Sequence, residues 1–494
     1  MARSRWRIRD AACAAPRPPI GSRQGGARNS DPPRWHRRLW LTAGRGGPPR
    51  HYPYELQVQR SELLDKLGEW AASEEVCRRS AEWCRSAGFR AEQAEAVVAH
   101  CRIRRNMGRP GGQRDEVTEA LGIWESLGDR PGVIKGHVNL GLVHALEGRL
   151  EEAAAEYRTA IELAGRDGLE QLTIAATGNL AQVLMLQGKY EESIAANLQV
   201  IDLARSHGDD HSVANAHCNL GNVYFYQSRY QRAMECYRFQ AALSRKFGDT
   251  HSYSVAVGNI GNVLYQTGDR QGSLACYREK LALSERLGFA AGIGQALGNI
   301  ANVLLDEGDV EGAIDCDARV MDIAERSGDA ELRASGCIDL GCLLQVKGDH
   351  QEALRHLDRA VDISRRAGVA YDLAMALVKR AESLLRTGAA AAARRDAEEG
   401  AALAERIADR GLALEGSLVA ARADPGRGER ELASLLARAE GDEQRAAVCH
   451  ALHEVTGDER RRSEALELYR GLEARSRSFP IRQKIEQLER RCGG

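Results

Sequence analysis

Asparagine is the polar side chain that recurs most regularly in this sequence. Asn139, Asn179, Asn219, Asn259 and Asn299 follow one another at intervals of forty residues, and Asn222, Asn262 and Asn302 repeat the residue three positions further on. An amide offers donors and an acceptor but supplies neither a nucleophile nor a transferable proton, so a row of amides binds and does not react. Its complement is the backbone of an extended peptide, whatever side chains that peptide carries. The residue types that do covalent or metal chemistry lack the arrangement such chemistry needs. Cys236, Cys276 and Cys316 share the forty-residue interval, which marks one repeated structural position and neither a disulfide pattern nor a metal knuckle. His207, His211 and His217 lie close together without the spacing of a zinc motif, and His450 and His453 have no acidic or cysteine partner in a recognisable pattern. Gly188-Lys189-Tyr190 lacks the upstream glycine and the hydroxyl residue of a phosphate loop, and neither a nucleophile elbow nor a kinase signature is present. The sequence therefore predicts no catalytic residue, no metal site and no cofactor.

Glycines set the frame that carries the asparagines. Gly128, Gly168, Gly208, Gly248, Gly288, Gly328 and Gly368 form one series, and Gly148, Gly188, Gly268, Gly308, Gly348 and Gly388 form a second, with Ser228 standing in its register. Between these stops lie segments of roughly 15 to 18 residues with apolar positions at helical spacing, so each forty-residue unit is a helical hairpin. In the unit at 210–249, Asp209 or Asp210 caps a first helix running to about Gln227, a second runs from about Tyr230 to Phe247, and Gly248 ends it. No proline occurs between 132 and 424, so no helix there has to kink. A pair this small cannot bury its own apolar face and must stack on its neighbours. Nine such units are expected over 50–409, two divergent helix pairs over 410–476, and a capping helix and tail over 477–494, where Arg482, Lys484, Glu486 and Glu489 make a polar run. Residues 1–49 hold most of the proline and almost no acid, which predicts a disordered Arg-, Pro- and Gly-rich tail.

Lys plus Arg total 69 against 70 for Asp plus Glu, a balance that draws the chain to neither nucleic acid nor an acidic surface. No stretch approaches the ~18 uninterrupted apolar residues of a membrane span, and no secretory signal is recognisable, so a cytoplasmic protein is expected.

Leu220-Gly221 with Tyr224, followed by Ala233 and Tyr237, resembles the tetratricopeptide signature of small and large residues that interlock paired helices. The match recurs as Leu140-Gly141, Ala153 and Tyr157, and as Ile260-Gly261, Ser273 and Tyr277; Ala301 and Asp317 depart from it. The pattern Gly258-Asn259-Ile260-Gly261-Asn262 is similar to a forty-residue subclass found in spindle-orientation scaffolds and bacterial signalling proteins. The resemblance implies an all-α, right-handed superhelical solenoid that binds protein or peptide and performs no chemistry. Some family members clamp a C-terminal carboxylate with Lys and Arg at inner positions. The middle units here carry Asn, Gln182 and Asp306 instead, and Ala99 and Lys379 replace the recurrent Asn in the outer units.

On ideal helical geometry Asn219 and Asn222 lie about 60° apart, and their mid-direction is about 150° from that of Leu220 and Tyr224. With the packing residues turned to the second helix, the asparagines are expected on the open inner surface. Phe225, Tyr226 and Tyr265 lie on or beside that face and are expected either to hold apolar side chains of the ligand or to pack ordinarily. The alternative for the asparagines is that they bond to one another or to nearby backbone and stiffen the array. The expected function is a scaffold holding an extended polypeptide along the concave groove. A ligand- or peptide-responsive regulatory module of a signalling system is the alternative.

Overall fold

A computed structural model describes residues 54–66, 70–106, 112–327, 330–407, 409–476 and 479–490. The tail expected over 1–49 lies outside the described residues. Helices account for nearly all that is described, and no strand occurs there. In chain order the first are α1 (Tyr54–Lys66), α2 (Trp70–Ala87), α3 (Arg90–Asn106), α4 (Gln113–Leu127), α5 (Arg130–Leu146) and α6 (Leu150–Arg166). The middle holds α7 (Glu170–Leu186), α8 (Tyr190–Ser206), α9 (Asp210–Tyr226), α10 (Tyr230–Phe247), α11 (Thr250–Gln266), α12 (Arg270–Leu287), α13 (Ala290–Glu307) and α14 (Val310–Ser327). Then come α15 (Ala330–Lys347), α16 (His350–Ala367), α17 (Ala370–Arg386), α18 (Ala390–Arg406) and α19 (Arg410–Ala423). The last four are α20 (Pro425–Arg438), α21 (Gly441–Thr456), α22 (Glu459–Ser476) and α23 (Phe479–Arg490).

Local chemistry explains where these helices start and stop. The Asp209 carboxylate accepts from the Ser212 backbone N–H at 3.0 Å, and Asp249 does the same for Ser252, so each satisfies a donor that the first turn leaves free. Gly248 takes φ 69° at the end of α10, a left-handed conformation that lets its N–H and the next turn back onto the last carbonyls. Ser228 adopts the same kind of turn at φ 59°, the one non-glycine to do so among the described residues. Its Oγ-bearing side chain meets the ordinary penalty that glycine avoids.

Each helix packs antiparallel on the next, and the small residue near the start of the second helix of a pair is buried between them. Ala153, Ala233, Ala313, Ala353 and Ala393 are all fully buried. The buried clusters pass from pair to pair, as where Val200, Ile201 and Ala204 of α8 meet Val213, Ala216 and Leu220 of α9. First helices also pack on the first helices of adjoining pairs, as α5 does on α7, α7 on α9 and α17 on α19, and second helices show no comparable packing among the described residues. The first helices therefore line the shorter, inner arc. The result is an all-α, right-handed superhelical solenoid of antiparallel helix pairs.

Candidate peptide-binding groove

The inner wall is held by an interlock that begins with glycine. A Cβ on Gly221 would stand 2.6 Å from the Tyr237 ring, and one on Gly261 would stand 2.7 Å from Tyr277. Only a bare α-carbon lets the tyrosine of the second helix lie across the first. The ring then projects its hydroxyl to the asparagine edge, where Tyr237 donates to Asn222 Oδ1 at 2.7 Å and Tyr277 donates to Asn262 Oδ1 at 2.9 Å. Where the large residue is absent the glycine is released. Ala301 faces a unit with Asp317 and Ala181 one with Asn197, whereas Gly341 is retained under Leu357, with 2.7 Å between its added Cβ and that side chain. The departures at Ala301 and Asp317 are thus one paired change in size.

In two units the first asparagine is tied to the preceding unit. Gln182 on α7 donates to Asn219 Oδ1 at 3.2 Å, and Asn259 Nδ2 reaches Cys218 Sγ at 3.6 Å. Within one helix Asn262 Nδ2 approaches Asn259 Oδ1 at 3.5 Å. Asn179, Asn219, Asn259 and Asn262 are only 6 to 8% exposed, while Asn139, Asn222, Asn299 and Asn302 are half-buried. Asn139 donates to the Lys135 carbonyl at 2.8 Å. Asn302 sits in the unit with Asp317 and lacks the phenolic donor that Asn222 and Asn262 receive. The expected separation of packing and amide faces is therefore incomplete, because tyrosine is long enough to cross from one to the other.

The aromatics are partly engaged. Phe225 meets Tyr226 and Tyr230 edge-on, with ring centroids 6.1 and 5.7 Å apart, and packs beside Ala233 and Tyr237. Tyr226 remains half-buried. Tyr265 donates to Asp306 Oδ2 at 2.5 Å and lies under the Arg270 guanidinium, which also pairs with Asp306 at 3.1 Å. Burial pushes the Asp306 carboxyl up, against the opposing pull of Tyr265 and Arg270.

Towards the C-terminus the same register carries charge. Lys379 occupies the asparagine position and binds Glu415 at 2.5 Å. Glu382 accepts from Arg422 at 2.8 Å and from Arg386 at 3.4 Å, and Glu454 pairs with Arg422 at 2.7 Å and Arg386 at 3.6 Å. Burial raises the Glu382 carboxyl, yet Arg422 and Arg386 prevail and hold it well below the usual carboxylate range. The spacing of these residues along the sequence hid this network, because Glu454 comes from α21, where the forty-residue register has lapsed.

Other expected positions are plainly placed. Cys236 is buried, Cys276 and Cys316 are half-buried, and the ten described cysteines are free thiols. Burial, with Glu235 adding to it, pushes the Cys236 thiol up to about 11. The ring of His217 lies tilted against Phe239 with centroids 4.1 Å apart, and burial followed by Arg205 lowers its pKa to about 4. Among the described residues no group of three His, Cys, Asp or Glu side chains is placed to hold a metal, and no helix is long and apolar enough to cross a membrane.

The fold and its inner wall define a helix-pair solenoid of the kind that serves as a protein-interaction scaffold. Two family models, each described as tetratricopeptide repeat, match the sequence, one over residues 172–238 and 292–366 and the other over 134–167. The chain thus contains tetratricopeptide repeats. No curated protein matches it in sequence. Among solved structures it is similar to the apo form of RapI, with 13% identity, TM-score 0.50, and coverage of 72% of this chain and 99% of that one. It is also similar to a Rap protein complexed with competence and sporulation factor, at 14% identity, TM-score 0.45, and coverage of 72% and 98%. A signal-transduction ATPase with a tetratricopeptide repeat sensor from Pyrococcus horikoshii shares 15% identity, with TM-score 0.46 and coverage of 69% and 51%.

Proposed function

We propose that the chain is a non-catalytic scaffold that binds an extended segment of a partner protein along the concave wall between α5 and α13. The observation that carries this is the register of amides on first helices that form the inner arc, with Asn139, Asn222, Asn299 and Asn302 accessible and Tyr226 beside them. Amides at a repeating interval suit peptide N–H and C=O groups and discriminate weakly among side chains. The buried asparagines serve the same surface indirectly, since Gln182–Asn219 and Tyr277–Asn262 fix the wall on which the accessible ones stand. The partner is a protein or peptide, and neither nucleic acid nor membrane has a matching surface in this reading. A cytoplasmic location fits it.

The test is capture of partners by the wild-type chain and by a variant with Asn139, Asn299 and Asn302 replaced by Ala, followed by titration of the captured segment as a synthetic peptide. Binding weakened at least about tenfold in a variant of unchanged helicity is the expected result. Equal affinity for the free-acid and C-terminally amidated peptide is expected as well, because the middle units carry Asn, Gln182 and Asp306 where a carboxylate clamp needs Lys and Arg. Undiminished binding by the asparagine variant would move the site off this wall.

A further inference from the structure

The last helix has two working sides. Ile481, Ile485 and Leu488 pack with Cys449, Ala465 and Tyr469, and Arg462 donates to the Leu488 carbonyl at 2.8 Å. That side closes the array on α21 and α22. The other side meets residues far back in the chain. Arg482 Nη2 donates to the Asp306 carbonyl at 2.8 Å, Gln483 Nε2 donates to the Val346 carbonyl at 3.2 Å, and the Phe479 ring lies beside Gly308. Both acceptors belong to the last turns of α13 and α15, where carbonyls have no intrahelical partner and the helix dipole favours a cation. The guanidinium is held ready by Phe479, whose ring centroid is 5.6 Å away.

Lys484 belongs to the closing side, with its ammonium 5.4 Å from the Tyr469 ring of α22. Phe479, Arg482 and Gln483 thus address two first helices, α13 and α15. Both are helices of the inner arc.

We propose that α23 is an intramolecular ligand of the array, a clasp that joins α13 and α15 to the C-terminal end and gives way to a partner helix of the same chemistry. That helix presents an aromatic residue followed three and four positions later by Arg and a side-chain amide. The clasp deepens the groove reading, on which it rests: the displacing helix is the part of the partner that takes the end of the concave wall, while the extended segment keeps the stretch from α5 to α11.

Hydrogen exchange on the full chain tests it. In an R482E/Q483A variant, which keeps Ile481, Ile485 and Leu488, backbone exchange around 304–309 and 344–349 is expected to rise at least about tenfold. Addition of a synthetic peptide spanning Phe479–Arg490 is expected to restore protection to the vacated seat. Phe479→Ala, which leaves the closing side equally intact, should show the same behaviour more weakly. Unchanged exchange in both variants, or faster exchange that the peptide does not reverse, would overturn the clasp. Because the probe is the chain's own segment, a clasp that opens as described while asparagine substitutions spare partner binding would refute the groove reading alone.

Discussion

The pairs at 210–289 and those from 370 onward are built on one backbone plan with opposite chemistry on the inner wall. Asn219, Asn222, Asn259 and Asn262 occupy the register in the first region, while Lys379, Glu382 and Arg422 occupy it in the second, with Arg386 at the place of Tyr226. An amide donates and accepts at once, so it exchanges a neighbour for a ligand at little cost. A carboxylate between two guanidiniums does not, because releasing either partner strands a partly buried charge. The comparison teaches that the repeat fixes where a side chain stands and leaves open whether it is available. The middle of the wall is suited to recognition and its end to rigidity.

The largest expected effect lies in the charged region. Glu382→Ala leaves Arg422 and Arg386 without one of their two shared carboxylates and should cost on the order of 2 to 4 kcal/mol in denaturant unfolding. A smaller loss than Asn219→Ala would erase the distinction between the regions. Next comes the interlock of the middle units, where Gly221→Ala drives a methyl into the Tyr237 ring and should cost about 1 to 3 kcal/mol. Gly178→Ala, where an added Cβ meets nothing within 4 Å, should instead stabilise by roughly 0.5 to 1 kcal/mol.

Acid sharpens the comparison next. Burial holds His450 down at about 4, with the charges of Lys484, Arg422 and Arg386 adding to the effect and Glu454 opposing it, and His217 is held equally low in the middle. The unfolded chain protonates first, so stability is lost as pH falls from about 6.5 towards 4, each histidine contributing a slope of up to about 1.4 kcal/mol per pH unit. His450→Gln should flatten that slope for C-terminal probes and His217→Gln for middle ones, as read by site-resolved exchange against pH. The smallest destabilisation is that of Tyr277→Phe, which deletes the donor to Asn262 and should cost about 1 kcal/mol in thermal unfolding.

The fold was legible because period, caps and stops all act within one unit. Asp209, Gly248 and the apolar spacing of Val213, Ala216 and Leu220 speak for their own helix without reference to any other. The interlock was legible only in part. Tyr237 and Asn222 each stood out, but their bond joins positions fifteen apart on two helices, and the reach of a phenol across Gly221 is a property of the packed pair. The Glu382–Arg422–Glu454 network was not legible, since Glu454 comes from α21, where the repeat interval has lapsed. Nor was the return of α23, as no local pattern encodes an encounter between Arg482 and the end of α13.

That encounter makes the solenoid a gauge of its own pitch. In an open array each pair senses only its neighbours, and a slight rotation between two of them goes unregistered elsewhere. Arg482 and Gln483 span the pairs from α13 to the chain's end, so small angular changes at every intervening interface add up at two hydrogen bonds. A bend too slight to disturb any single junction is enough to part them.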